Sequence, residues 1–145
     1  MPPTGETNLT RLIREMQPHL HPGAYVFCCV APDSPSIPAT VIGTFREDAG
    51  LTLILPRDSA DQHGLSYTFV SAWITLNIHS ALDAVGLTAA VAQALSQAGI
   101  SCNVVAGYYH DHLFVPLEAG PRAVAILAGM RDHGRGVGAA GPHEK

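Results

Sequence analysis

Hydrophobic and polar positions repeat with two different periods along this chain, and the switches between them lay out a mixed series of helices and strands. Leu9, Leu12, Ile13 and Met16 fall three and four residues apart behind Asn8, a good cap, which predicts a short amphipathic helix ended by Pro18 and Pro22. Ala24 to Ala31 reads as a buried strand, and the prolines from Pro32 to Pro38 make the next stretch a loop. Val41 to Glu47 and Leu51 to Leu55 form a hairpin through Asp48-Ala49-Gly50, where Gly50 is expected to take a positive φ. A short helix follows from Arg57 to about His63 and stops at Gly64. In the long strand from Tyr67 to His79, Ile74, Leu76 and Ile78 share one face while Trp73, Thr75, Asn77 and His79 share the other. The next helix carries an apolar stripe at Leu87, Val91, Ala94, Leu95 and Ala98 and ends at Gly99. Strands at Cys102 to Gly107 and Leu113 to Val115 flank the turn Tyr108 to Asp111, and a last helix begins near Pro121. Beyond Arg131 the tail HGRGVGAAGPHEK is rich in glycine and charge, and disorder is expected there.

The run from Ile74 to Met130 is the most informative part of this pattern. Its turn, Ser80 to Thr88, opens a helix whose first N–H groups have no partner within the helix and so suit a carboxylate. The helix leaves through Ala98-Gly99-Ile100-Ser101-Cys102-Asn103 into the next strand, and the Asp83 to Gly86 turn and Asn103 are expected at the same end of a sheet. The glycine in LDAVGLTAAVAQAL, the AGIS exit, Asn103 and the closing YYHDHLFVP hairpin resemble an ACT domain, a small ferredoxin-like module by which metabolic enzymes and regulators sense amino acids. With GTFREDAGLTLILPRD upstream, the stretch from about Gly23 to Met130 resembles small uncharacterised bacterial proteins made of two ACT units. The resemblance implies an α+β fold of tandem ferredoxin-like units, antiparallel sheets with helices on one face.

An internal repeat supports two units independently. Thr52-Leu53-Ile54-Leu55-Pro56-Arg57-Asp58 and His112-Leu113-Phe114-Val115-Pro116-Leu117-Glu118, 60 residues apart, share a strand, a proline and an acidic helix start. The division expected is an N-terminal arm over 1–22, a first, degenerate unit over 23–66, a second over 67–132 and a disordered tail over 133–145. The first unit lacks a helix because Pro32 to Pro38 is too short and too rich in proline to form one. The second lacks a final strand, which must come from elsewhere in the chain or from a partner.

Composition narrows the functions available. At 47% hydrophobic and 14% charged residues, the chain has apolar surface to spare for a subunit interface, and a homodimer is expected. A net charge of −4 with scattered basic residues argues against nucleic acid. The longest apolar run is far shorter than the roughly 20 residues of a membrane helix. Neither a signal-peptide pattern nor a disulfide framework is evident, which points to the cytoplasm.

Chemistry is sparse. The turn could hold an amino-acid-like ligand through Asp83, Ala84, Val85, Gly86, Leu87 and Asn103, the amides taking a carboxylate and the oxygens an ammonium group; equally, Asp83 could cap the helix and Gly86 let it pack closely. Two His-x-His pairs, His19/His21 and His110/His112, raise the question of metal, but two ligands do not make a site, and the first pair is expected in a proline-flanked loop. Cys28, Cys29 and Cys102 lack metal or redox spacing, and their apolar context disfavours a thiolate. The one lysine, Lys145, removes Schiff-base and P-loop chemistry. His79 with Asp83 remains as an acid–base pair. The reading reached is a non-catalytic regulatory module that binds an amino acid or related metabolite, with neither cofactor nor metal and with a protein partner to regulate. A ligand-free scaffold and a small histidine-dependent enzyme stand as the alternatives.

Overall fold

Backbone pairing joins the β segments of the computed structural model into one antiparallel sheet. The structure describes residues 8–34, 36–78 and 85–140, with side chains to residue 131. Seven strands occur in chain order: β1 (Gln17–Leu20), β2 (Tyr25–Val30), β3 (Gly43–Glu47), β4 (Gly50–Pro56), β5 (Val70–Asn77), β6 (Asn103–Ala106) and β7 (Asp111–Pro116). The helices are α1 (Leu9–Glu15), α2 (Arg57–Gln62), α3 (Leu87–Gln97) and α4 (Gly120–Ala140), the last entered through a 3-10 turn at Leu117–Ala119. The sheet order is β3-β4-β2-β5-β7-β6, with β1 also paired to β5.

The repeat appears as two copies of one strand order. In the first, β2 and β3 both pair with β4; in the second, β5 and β6 both pair with β7. Pro56 and Pro116 end the matching strands with nearly identical backbones, φ −58° and ψ 140° against φ −51° and ψ 140°. Proline fits here because its fixed φ suits the entry to a helical turn and its missing N–H costs nothing there. The two copies join where Tyr25 and Val26 of β2 meet Ser71 and Val70 of β5. Between β2 and β3 the described residues hold no helix, as the prolines require.

The strand missing from the second copy comes from the chain's own N-terminal arm. Gln17, Pro18, His19 and Leu20 pair with Asn77, Leu76, Thr75 and Ile74. Ahead of β1, the Asn8 side chain accepts from Arg11 N at 3.0 Å and starts α1, which lies on α4. The arm is therefore part of the second unit's body rather than an appendage. Leu12 and Met16 are fully buried in the same cluster as Ile74, Leu76, Val91, Leu95, Leu113 and Leu127. A second cluster, Val26, Cys28, Leu53, Leu55 and Ala60, lies under α2 and the segment around Leu65 and Tyr67. Residues paired across the sheet point the same way, so both clusters share its helix-covered face.

Three expectations need correction. Gly50 does not take a positive φ; it lies buried at the start of β4, where an added Cβ would meet Cys29 Sγ and come within 2.8 Å of the Val30 carbonyl oxygen, so close approach is what demands glycine. The segment around His19 is a strand, since an edge strand with one paired side tolerates Pro18. Helix α4 runs on to Ala140, past the point where disorder was expected, because a helix already formed adds one hydrogen bond for each further residue. Residues 141–145, like His79 at the end of the expected long strand, lie outside the described residues.

If the arm belongs to the core, truncating it should cost as much as truncating the sheet. Leu12→Ala should destabilise by about 2–5 kcal/mol in urea unfolding, as a fully buried leucine does, and an effect within about 0.5 kcal/mol would place the arm on the surface.

Candidate functional site

The α3 turn is set by one glycine. Gly86 takes φ 103°, a left-handed conformation that L side chains rarely adopt, and occupies the cap position of α3, where it offers no side chain to the first-turn amides. Its carbonyl accepts from Ala90 N at 2.8 Å. An added Cβ would stand 2.9 Å from Leu9 Cδ2, so the start of α1 presses against this turn. Val85 is 82% exposed while Leu87 is buried, which gives the turn an open side and an apolar floor. Asp83 and Ala84 lie outside the described residues.

Asn103 is not brought to this turn. Register places it level with Phe114 and Trp73, whereas β5 runs on through Leu76 and Asn77 before the chain reaches α3. Strands β5 and β6 are thus parallel, α3 returns along the sheet between them, and Asn103 lies about 10 Å back from the Ala106 end. The expectation of a shared sheet end fails because a crossover helix starts at one end of the strands and delivers the chain to the other. The Asn103 side chain instead donates to the Phe114 carbonyl at 3.5 Å.

What the register does assemble is a histidine cluster on the face away from the helices. His19, Thr75 and His112 occupy one row across β1, β5 and β7. Thr75 Oγ1 lies 2.7 Å from His21 Nε2 and 3.0 Å from His112 Nδ1, and the Trp73 indole N–H donates to the same Nδ1 at 3.1 Å. The His21 ring stacks on Trp73 with centroids 3.6 Å apart and planes 11° from parallel, and His19 meets His21 edge-on at 4.6 Å. Burial holds His112 below the ordinary histidine pKa, with His110 adding to the effect and Asp111 opposing it. His21 is lowered for the same first reason, then by His19 and His112. His110 has another contact, its Nδ1 lying 3.4 Å from the Ile78 carbonyl.

Both His-x-His pairs were visible in the sequence, and so was the placement of Trp73 and Thr75 on one face of their strand. Their convergence was not, because it depends on β1 pairing with β5. Among the described residues, no group of three His, Cys, Asp or Glu side chains is placed to hold a metal ion. The expected acid–base pair, His79 with Asp83, falls outside the described residues. Burial pushes the Cys28 and Cys102 thiols up, which disfavours thiolate chemistry, while Cys29 is exposed rather than packed as its apolar neighbours suggested.

Beside the cluster, the sheet curls so that Ile42 and Gly43, at the start of β3, and Val105 of β6 line a hollow with Trp73, His112 and Phe114. An adjoining trough of about 390 Å³ runs along Phe27, Phe45, Ile54 and Val105.

Two profiles of the ACT domain match the sequence, one over residues 4–72 and one over residues 68–129. The chain is also 45% identical to a Vibrio cholerae protein of unknown function, described as a possible transport protein, whose crystal structure matches with a TM-score of 0.77 over 85% of this chain and 95% of that one. The chain belongs to the ACT-domain family. Its two strand repeats are therefore tandem ACT units, the first without its crossover helix. A similar fold occurs in an Agrobacterium tumefaciens protein, 23% identical with a TM-score of 0.61 over 80% of this chain and 89% of that one. It occurs again in the regulatory subunit of aspartate kinase from Thermus flavus, 14% identical with a TM-score of 0.58 over 79% of this chain and 96% of that one. Among curated proteins, none matches. No helix of the described residues is long and apolar enough to cross a membrane.

The glycine of the ACT turn can be tested by itself. Gly86→Ala should cost about 1–2 kcal/mol from backbone strain. Combining it with Leu9→Ala should recover about 0.5 kcal/mol or more of that loss, read as a coupling energy in a urea double-mutant cycle.

Proposed function

We propose that this ACT pair is a non-catalytic regulatory module that binds an amino acid or a closely related metabolite at the α3 turn and thereby changes its association with a protein partner. The observation that carries the proposal is the start of α3, where the cap residue has no side chain. Gly86 offers no side chain of its own, Val85 leaves the turn open on one side, and Leu87 closes it with apolar surface on the other. Backbone N–H groups at a helix start, together with the helix dipole, favour a carboxylate. The fold shared with an aspartate kinase regulatory subunit supports a regulatory role.

Magnitudes decide what else such a site requires. A charge at a helix end is worth about 0.3–1 kcal/mol, whereas a micromolar ligand needs about 8 kcal/mol. The remainder has to come from enclosing the ligand's apolar part, and a second copy of the chain is the natural source. The reading therefore includes a homodimer, acting in the cytoplasm, with exposed Phe45 on edge strand β3 and Val85 beside the turn as surface for that contact. Asn103 has no part in the site within one chain, since its row is that of Trp73. Coupling of about 1–3 kcal/mol between ligand and partner suffices for regulation.

Thermal unfolding with each of the twenty amino acids tests the proposal. One of them, at about a hundred times its Kd, should stabilise the protein by about 2.7 kcal/mol and raise Tm by several degrees. Val85→Glu should abolish that shift while leaving the unliganded Tm unchanged, because its carboxylate competes for the same amides from an exposed position. A dimer that responds to none of the twenty would instead favour the ligand-free scaffold.

A further inference from the structure

We infer that the two His-x-His motifs form a proton-sensitive latch that fastens the N-terminal arm to β5, and that protonating His112 loosens it. The latch is independent of whether the α3 turn binds a ligand.

The hydrogen-bond directions fix the resting state. An indole N–H can only donate, so the 3.1 Å contact from Trp73 makes His112 Nδ1 an acceptor and puts that ring's proton on Nε2. The Thr75 hydroxyl, 5% exposed, has one proton to share between His112 Nδ1 and His21 Nε2. With both imidazoles neutral, His21 donates to Thr75, and Thr75 and Trp73 both donate toward His112 Nδ1, so these three contacts are compatible with one another. A proton on His112 Nδ1 would set two N–H groups against each other and leave the half-buried Trp73 indole without an acceptor. Thr75 could turn to accept that new N–H. It would then have to donate to His21 Nε2, which a charged His21 no longer permits.

His112 is the trigger rather than His21. A proton on His112 Nδ1 displaces the Trp73 N–H, whereas His21 can charge while still donating to Thr75 and stacking on the indole face; Asp111 favours a charged His112, but burial outweighs it. The charged and titratable groups around the cluster come from every neighbouring strand. His19 and His21 stand on the arm, Tyr25 on β2 meets Trp73 edge-on at 5.2 Å, and the β6–β7 hairpin adds His110 and Asp111. Asp111 is the one acid among them, and burial raises its carboxyl. Charging the histidines together therefore sets like charges side by side.

The arm is what gives way. Among the described residues strand β1 pairs only with β5, and its last tie is the hydrogen bond from His21 N to the Trp73 carbonyl at 2.9 Å. The sign follows from linkage. A histidine whose folded pKa is depressed contributes stability that is complete above the ordinary value of about 6.5 and is lost as pH falls through the folded value, so the latch opens below about pH 6.5.

Hydrogen exchange on the full chain, corrected for intrinsic rates, compares residues 17–21 with strand β4 at about pH 7.5 and about pH 5.5. Protection of the arm should fall by about threefold or more relative to β4, and emission from Trp73, the single tryptophan, should change over the same range. His112→Gln, a neutral side chain with an acceptor oxygen, should keep the arm protected at both values. An arm that shows no fall, that falls in step with β4, or that still loosens in His112→Gln overturns the inference. Should His112→Gln fail to fold, nitrogen NMR of the natural protein decides instead. Nδ1 should be bare at about pH 7.5 and the ring should titrate below about 6.5; a proton on Nδ1, or a midpoint at or above that value, overturns it.

Discussion

Strand β5 is hydrogen-bonded along one edge to both β1 and β2 and along the other to β7, and this threefold pairing is the constraint from which the rest of the molecule follows. A strand so placed cannot slip. A shift of one residue would carry Ile74 and Leu76 out from under the helices and drive Trp73 and Thr75 into their place. With β5 fixed, the arm, the first unit and the closing hairpin each have one register available. The helix-covered face then fills with aliphatic side chains, and the opposite face receives the indole, the hydroxyl and the imidazoles.

This division of labour between the faces explains how an ACT pair can lose a crossover helix and remain ordered. In the first unit, Val26, Cys28, Leu53 and Leu55 are covered by α2, by Val41 and by the segment from Leu65 to Val70, which together replace what a helix between β2 and β3 would have supplied. In the second, α3 and α4 are joined by α1, so that three helices share the cover. Burying a leucine fully is worth about 1.5–3 kcal/mol, and the arm brings Leu12 and Met16 to that cover, which offsets the entropy of ordering a short terminal segment.

Much of this was legible in the amino-acid sequence. The four-residue spacing of Leu87, Val91 and Leu95, the alternation around Trp73, the prolines at 56 and 116 and the glycine at the α3 turn each gave an element its place, because each is a local signal. What escaped depends on contacts distant in sequence. Gln17-Pro18-His19-Leu20 carries no strand signature, and only the acceptor edge of β5 makes it one. The same cause hid the meeting of His21 with His112, and it misplaced Asn103, whose row is decided by the register of β6 on β7. At Gly50 the glycine was noticed for the wrong reason, since the crowding atoms belong to Cys29 and Val30 of another strand.

The arm's position has a consequence for how the protein is made. His21 and Thr75 touch across 54 intervening steps of chain, and Arg131 of α4 donates to the Arg14 carbonyl across 117. Segments so far apart close slowly, because chain entropy is lost before any contact repays it. The arm therefore leaves the ribosome well ahead of its acceptor strand and waits, its buried leucine and methionine still in water, until β5 and α4 have been synthesised. The second ACT unit is closed by residues translated well before the strand and helix that receive them.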